Sequence, residues 1–241
     1  MQSGFKFGNK ATWDFDMHVE KFPAQNVAAR KMQTVEVPGR NGALHFLQDA
    51  FGNYTQPYNC YFHSRIPAPA QAHAVKAWLL SSGAYQRLED TYDPEHFRLA
   101  AFNGPLNIEN ILNRYGRCTV NFDCDPRSFL KSGEHALTFT SAGQLVNPTE
   151  FTALPLITVY GTAAGTVTVG TATVTINSIA DPIILDCEHQ NAYSQPGEGA
   201  PENKNGSIKA IPFPALAPGT NPVAFTGGIT KIEIIPRWWE L

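Results

Sequence analysis

The stretch Gly165-Thr166-Val167-Thr168-Val169-Gly170-Thr171-Ala172-Thr173-Val174-Thr175-Ile176 decides the fold class. Its valines occupy odd positions before Gly170, and its apolar residues occupy even positions after it. Neighbouring side chains of a strand point to opposite faces, so a switch of parity means that the chain reverses there. A two-residue turn at Gly170-Thr171 pairs Val169 with Ala172 and Val167 with Val174, which gathers the apolar groups on one face. The threonines form the other, wetter face, the pattern of an antiparallel sheet with one side on a core.

A second reversal follows the same logic. In Thr34-Val35-Glu36-Val37-Pro38-Gly39-Arg40-Asn41-Gly42-Ala43-Leu44-His45-Phe46, two alternating runs flank Pro-Gly and Asn-Gly, dipeptides that tolerate turn geometry. The tip of this hairpin presents Arg40. Most of the remaining chain is short alternating segments punctuated by Gly, Pro and Asn, which predicts an all-β protein of sandwiches. One stretch dissents: Pro69 to Leu80 reads as a single amphipathic helix. Pro69 suits its first turn, Val75, Trp78 and Leu79 form its apolar face, and Gly83 supplies a left-handed stop. Trp78 is the expected packing anchor.

Punctuation also suggests two domains. A strand ends near Asp123-Cys124-Asp125-Pro126, polar Lys131-Ser132-Gly133-Glu134 follows, and Asn147-Pro148 precedes new strands from Leu156. The junction is therefore expected at Gly133, giving domains 1–133 and 134–241. Asn191 to Gly206, rich in Gly, Pro, Asn and Glu, reads as a long exposed loop.

The composition narrows function. With 43% hydrophobic and 11% aromatic residues in 241, the chain can bury a sizeable core. Charged residues are 16% and the formal net charge is −3, with no basic run of the kind that grips nucleic acid. No segment has the roughly 20 apolar residues that span a bilayer, and Met1 to Lys10 lacks the apolar run of a signal peptide. A protein made in the cytoplasm is expected. The four cysteines, Cys60, Cys118, Cys124 and Cys187, are too scattered for a zinc knuckle or a redox motif. Cys118, Val120, Phe122 and Cys124 share one strand face, and about 20 Å of strand keeps those two sulfurs from bonding each other. All four read as small apolar core residues.

Candidate chemistry is sparse. Glu89-Asp90-Thr91-Tyr92-Asp93-Pro94-Glu95-His96 is the best acid and base cluster, with Asp90, Asp93 and His96 as candidate metal ligands or proton carriers, yet it reads equally as a turn with solvated charges. No nucleophile elbow, phosphate loop, dinucleotide fingerprint or zinc-protease helix is present, and the seven histidines are dispersed. A non-enzyme without catalytic residues, metal or cofactor is expected. The closing segment alternates Ile232 and Ile234 with charges and ends on Arg237-Trp238-Trp239. Adjacent tryptophans on a strand face opposite sides, so one serves the core while the other joins Arg237 as an interface anchor, or both shield the domain edge.

Taken in order, these motifs resemble the distal tail proteins of siphoviruses, the long-tailed bacteriophages. The resemblance runs over nearly the whole chain: Val37-Pro38-Gly39-Arg40-Asn41-Gly42, the helix carrying Trp78-Leu79, Leu88-Glu89-Asp90 with Asp93-Pro94-Glu95, and Val120-Asn121-Phe122-Asp123-Cys124-Asp125-Pro126. It continues in Asn147-Pro148, Pro155 to Gly161, Ile183-Ile184-Leu185-Asp186-Cys187-Glu188, Phe213 to Asn221, and Ile232 to Trp238.

The resemblance implies a ring-forming N-terminal β-sandwich and an outward-pointing, galectin-like C-terminal β-sandwich. It implies a homo-hexameric ring at the virion's tail tip, a baseplate hub joining the tail tube protein to the tail-tip or tail-associated lysin protein, in places carrying receptor-binding proteins, and letting DNA pass. Pro38, Gly39, Arg40, Asn41, Gly42, Arg237, Trp238 and Trp239 are the expected interface residues. A galectin-like fold does not bring sugar binding with it. Galectins use a His-x-Asn-x-Arg strand, whereas His189-Gln190-Asn191 here continues with Ala192 and Tyr193. The alternative function is a carbohydrate-binding module of the phage adsorption device.

Overall fold

The computed structural model describes residues 3–63, 65–197, 199–210 and 212–241. The chain is mostly strand, with one α-helix, and divides into two compact units, Met1–Ser128 with Leu241 and Phe129–Glu240. Gly133 lies inside the second unit. Its carbonyl accepts the Arg237 N–H at 2.9 Å and the Leu130 N–H donates to the Trp238 carbonyl at 3.0 Å, so the closing segment ties down the residues before Gly133. The strand that holds Cys124 runs on past Pro126 to Leu130.

The first unit is built on an antiparallel sheet whose strand order is Lys10–Ala11, Phe5–Phe7, Gln86–Asp90, His96–Ala101, Tyr115–Leu130, Tyr54–His63 and Met17–Val19. Ile108–Leu112 also pairs with Tyr115–Leu130. From Gly116 to Cys124 this long strand alternates buried and solvent-facing side chains, so that Cys118, Val120, Phe122 and Cys124 enter one core with Phe5, Phe7, Tyr58 and Phe62. The helix spans Ala68–Leu79 and buries Val75, Trp78 and Leu79 in that core. Trp78 stacks on Phe15 at 4.7 Å and donates its indole N–H to the Phe7 carbonyl at 3.1 Å, which satisfies the one polar group of a large buried side chain. The expected glycine stop is not used. Leu80, at φ −92°, ends the helix, and the Ser81 hydroxyl donates to the Trp78 carbonyl at 2.7 Å.

The second unit is a β-sandwich whose strands belong to one continuous nine-stranded sheet, with the two longest, Leu156–Val169 and Gly219–Ile235, at its centre. They pair with each other along most of their lengths, with register shifts at Tyr160, Gly161 and Gly165. Before the shift Leu156–Val159 pairs with Ile183–Asp186, and after it Gly165–Val169 pairs with Ala172–Ile176. The corner needs glycine on both strands. A Cβ on Gly165 would lie 2.2 Å from the Thr226 carbonyl oxygen, and Gly227, at φ +73°, lies against the Ala164 carbonyl.

The hairpin at Gly170 has the expected register, Val169 opposite Ala172 and Val167 opposite Val174. Gly170 takes φ +62°, and the Thr168 and Thr173 hydroxyls bond across the wet face at 2.9 Å. The residues read as a long loop after Asn191 instead fold back as a short ladder, Tyr193 opposite Asn203 and Ser194 opposite Glu202; Glu198 of that stretch lies outside the described residues. Met1 and Gln2, part of the segment read for a signal peptide, also lie outside them. The final long strand packs in the second unit's core through Ile232 and Ile234. Among the described residues no helix is long and apolar enough to cross a membrane.

Candidate interaction surfaces

The hairpin at Arg40 forms a separate two-stranded ribbon, Arg30–Glu36 with Ala43–Phe51. Its register is Met32 opposite Leu47, Gln33 opposite Phe46, Thr34 opposite His45, Val35 opposite Leu44 and Glu36 opposite Ala43. Opposed residues share a face, so Met32 and Leu47 lie on one side, and Val35, Leu44 and Phe46 on the other. Neither side is covered: Met32 and Phe46 are each 54% exposed and Leu47 is 64% exposed. The tip, Val37 to Gly42, turns through Gly39 at φ +79° and Gly42 at φ +78°, with the Arg40 N–H on the Val37 carbonyl at 3.2 Å. A Cβ at either glycine would meet nothing within 4 Å, so Pro38, Gly39, Arg40, Asn41 and Gly42 stand together in open space.

The other expected interface residues are brought together in the second unit, but not in one role. Trp238 is 5% exposed and belongs to the core of that unit. It is therefore a packing residue. Arg237 and Trp239 remain at the surface. Trp239 stacks on Phe151 at 4.4 Å and donates to the Thr152 carbonyl at 3.0 Å. Arg237 adopts φ +58°, a conformation costly for a residue with a Cβ, and donates to Asp186 at 2.9 Å and Glu188 at 3.5 Å. Burial pushes the Asp186 carboxyl up, but hydrogen bonds from Arg237 and His189 outweigh it and hold its pKa below the ordinary value.

The acid and base cluster of the first unit is a structural staple. Asp90, buried at the end of Gln86–Asp90, accepts from the Tyr58 hydroxyl at 2.8 Å, from Arg98 at 3.2 Å and from the N–H groups of Tyr92 and Asp93. Asp93 in turn faces His96 at 2.7 Å and Arg98 at 3.4 Å. Burial would lower the pKa of Arg98, but Tyr54, Tyr58, Asp90 and Asp93 together raise it. Burial likewise lifts Tyr54 to about 12. Among the described residues no cluster of His, Cys, Asp and Glu has metal-site geometry.

Sequence reasoning read Asn147-Pro148 and Asn221 only as motif members; each is a loop clamp. Buried Asn147 donates to the carbonyls of Phe151 and Leu216 at 2.9 and 3.0 Å and accepts from Thr149, while Asn221 donates to Ala217 and Gly219. No residue-level signal marked the solvent-facing sides of the Met32 and Phe46 ribbon.

No protein-family model and no curated protein sequence matches the chain. A solved structure does: the Dit protein (gp 19.1) of SPP1, titled a paradigm of the hub adsorption apparatus in phages that infect Gram-positive hosts. It superposes with a TM-score of 0.73 at 11% identity, over 100% of this chain and 100% of that one. The chain has the fold of a phage hub protein. The resemblance carried by the order of motifs is thus met at the level of fold. Within this hub fold the motif residues Asp90, Asn147, Asn221 and Trp238 hold the interior together, while the Met32 to Leu47 ribbon faces outward.

Proposed function

We propose that this chain is a structural hub of a phage tail, a distal tail protein of the virion that works by assembly and not by turnover. The whole-length fold match to a hub protein carries this reading. In it, six copies close a ring through their first units, and the ribbon Arg30–Phe51 is the arm that grips the next copy. The arm's physics supports that role. It has apolar side chains on both faces, and among the described residues its two strands pair only with each other, so its outer edges offer backbone groups to a partner strand. Arg40 at the tip, with Arg237 and Trp239 of the second unit, supplies further contacts to copies or to the neighbouring tail tube, tail-tip and receptor-binding proteins. The charge balance of −3 suits a channel that DNA must traverse without being held, since phosphate binding needs clustered Lys and Arg.

Negative-stain microscopy and light scattering of the purified chain, alone and with tail-tube and tail-tip proteins, test the reading. The expected species is a ring with a central hole and about six times the 26.4 kDa chain mass. A chain that stays monomeric in the presence of those partners, or virions that assemble without it, would overturn the proposal.

A further inference from the structure

Cys60 and Cys118 stand directly opposite each other on the antiparallel strands Tyr54–His63 and Tyr115–Leu130. Both point into the first unit's core, 1% and 7% exposed. Opposed Cα atoms of an antiparallel ladder are about 4.5 to 5.5 Å apart, within the roughly 4.4 to 6.8 Å that a disulfide bridges. The Cys60 thiol donates to the Tyr58 carbonyl at 3.5 Å. A cleft of about 530 Å³ runs beside the two strands here, lined by Glu20, Asn59, Arg117 and Thr119 together with the two cysteines. The other cysteines lack a partner of this kind. Cys124 is on the same strand six residues beyond Cys118 and Cys187 is in the other unit, and burial pushes both thiols up to about 12.

We propose that Cys60 and Cys118 are a redox pair that closes to a cross-strand disulfide when the protein meets a small peroxide oxidant. Cys118, 7% exposed against 1% for Cys60, is the sulfur the oxidant reaches first and so the attacking one. As a thiolate it attacks one oxygen of hydrogen peroxide; the O–O bond breaks, and the departing hydroxide takes up the thiol proton as water. Cys118 is left as a sulfenic acid, oxidised by two electrons. Cys60 then attacks that sulfur, the S–O bond breaks, and hydroxide leaves with the Cys60 proton as a second water. Two thiols and one peroxide thus give one disulfide and two waters. The chemistry does not depend on the hub reading; its setting does, since a hub made in a reducing cytoplasm ends in an oxidising medium outside the cell.

The full chain is treated with millimolar hydrogen peroxide, denatured, alkylated and digested without reductant. Mass spectrometry should find two alkylated cysteines, Cys124 and Cys187, in place of the four of the reduced chain, and a Cys60–Cys118 linked peptide lighter by two hydrogens that dithiothreitol separates. In Cys60→Ser the sulfenic acid of Cys118 should persist and be trapped by dimedone. Four alkylatable thiols after oxidation, a link through Cys124 or Cys187, or overoxidised Cys118 without a link would each overturn the proposal. The wild-type result stands whether or not the variant folds.

Discussion

Two hairpins of this protein look alike in sequence and differ in fate. Gly165–Ile176 alternates apolar and polar residues, and the arm Arg30–Phe51 does so from Thr34 to Phe46; both turn at a glycine with positive φ. In the first, Val167, Val169, Val174 and Ile176 are all fully buried. In the second, Met32, Phe46 and Leu47 are more than half exposed. Alternation specifies a ribbon and its register. It does not specify what covers the apolar row, which in one hairpin is the rest of the sandwich and in the other, on our proposal, a second copy of the chain.

Substitutions should separate the two. The largest effect is expected at Val174→Asp, which places an unpaired charge in the second unit's core opposite Val167; a loss of about 4 kcal/mol or more should remove that unit's cooperative transition in urea. Next, Gly170→Ala should cost about 2 kcal/mol, from the left-handed backbone and a Cβ 2.8 Å from the Ala215 carbonyl. Gly39→Ala carries the same backbone penalty in open space, where the turn can relax apart from the core. It should shift the global transition by under about 0.5 kcal/mol, and an equal loss at both glycines would erase the distinction.

Asp186→Asn should cost about 1 kcal/mol at neutral pH. Because the folded pKa of Asp186 lies below its unfolded value, its contribution is complete above the unfolded carboxylate pKa of about 3.9 and disappears as pH falls through the folded value. Melting curves of wild type and variant should therefore converge between pH 4 and the folded pKa. The smallest effect on stability, within about 0.5 kcal/mol, is expected for Leu47→Asp on the arm. The same change should lower ring formation at least tenfold in light scattering, on the order of 1.4 kcal/mol per arm contact. Unaltered assembly would take the arm out of the interface.

The parity switch at Gly170 made one register legible to the residue, and Trp78 announced the helix and its anchor. Other features were hidden for identifiable reasons. The ladder of Tyr193 with Asn203 is written, Tyr193 apart, in residues with low strand preference, and it is held by Asn205, whose side chain accepts the Ala192 N–H at 2.7 Å and donates to Asn191 at 2.8 Å. Nothing in the sequence separates the corner glycines Gly161, Gly165, Gly227 and Gly228 from turn glycines, although here they let two strands bend without stopping. Arg237 promised an interface cation, but nothing in its neighbours foretold a left-handed backbone that turns Trp238 inward. The candidate surface was legible at the arm's tip, through Pro-Gly and Asn-Gly; along its sides it was not, because exposure depends on what the rest of the chain leaves uncovered.

The two long paired strands at the centre of the second unit have a mechanical consequence. In a sandwich whose sheets are separate ribbons, shear is resisted only by side chains sliding past one another. Here Leu156–Val169 and Gly219–Ile235 carry tension across one continuous nine-stranded sheet along covalent backbone, stitched together from Leu156–Ile235 to Val169–Val223. Pulled at its ends, such a unit should yield in one abrupt event at high force instead of peeling sheet by sheet.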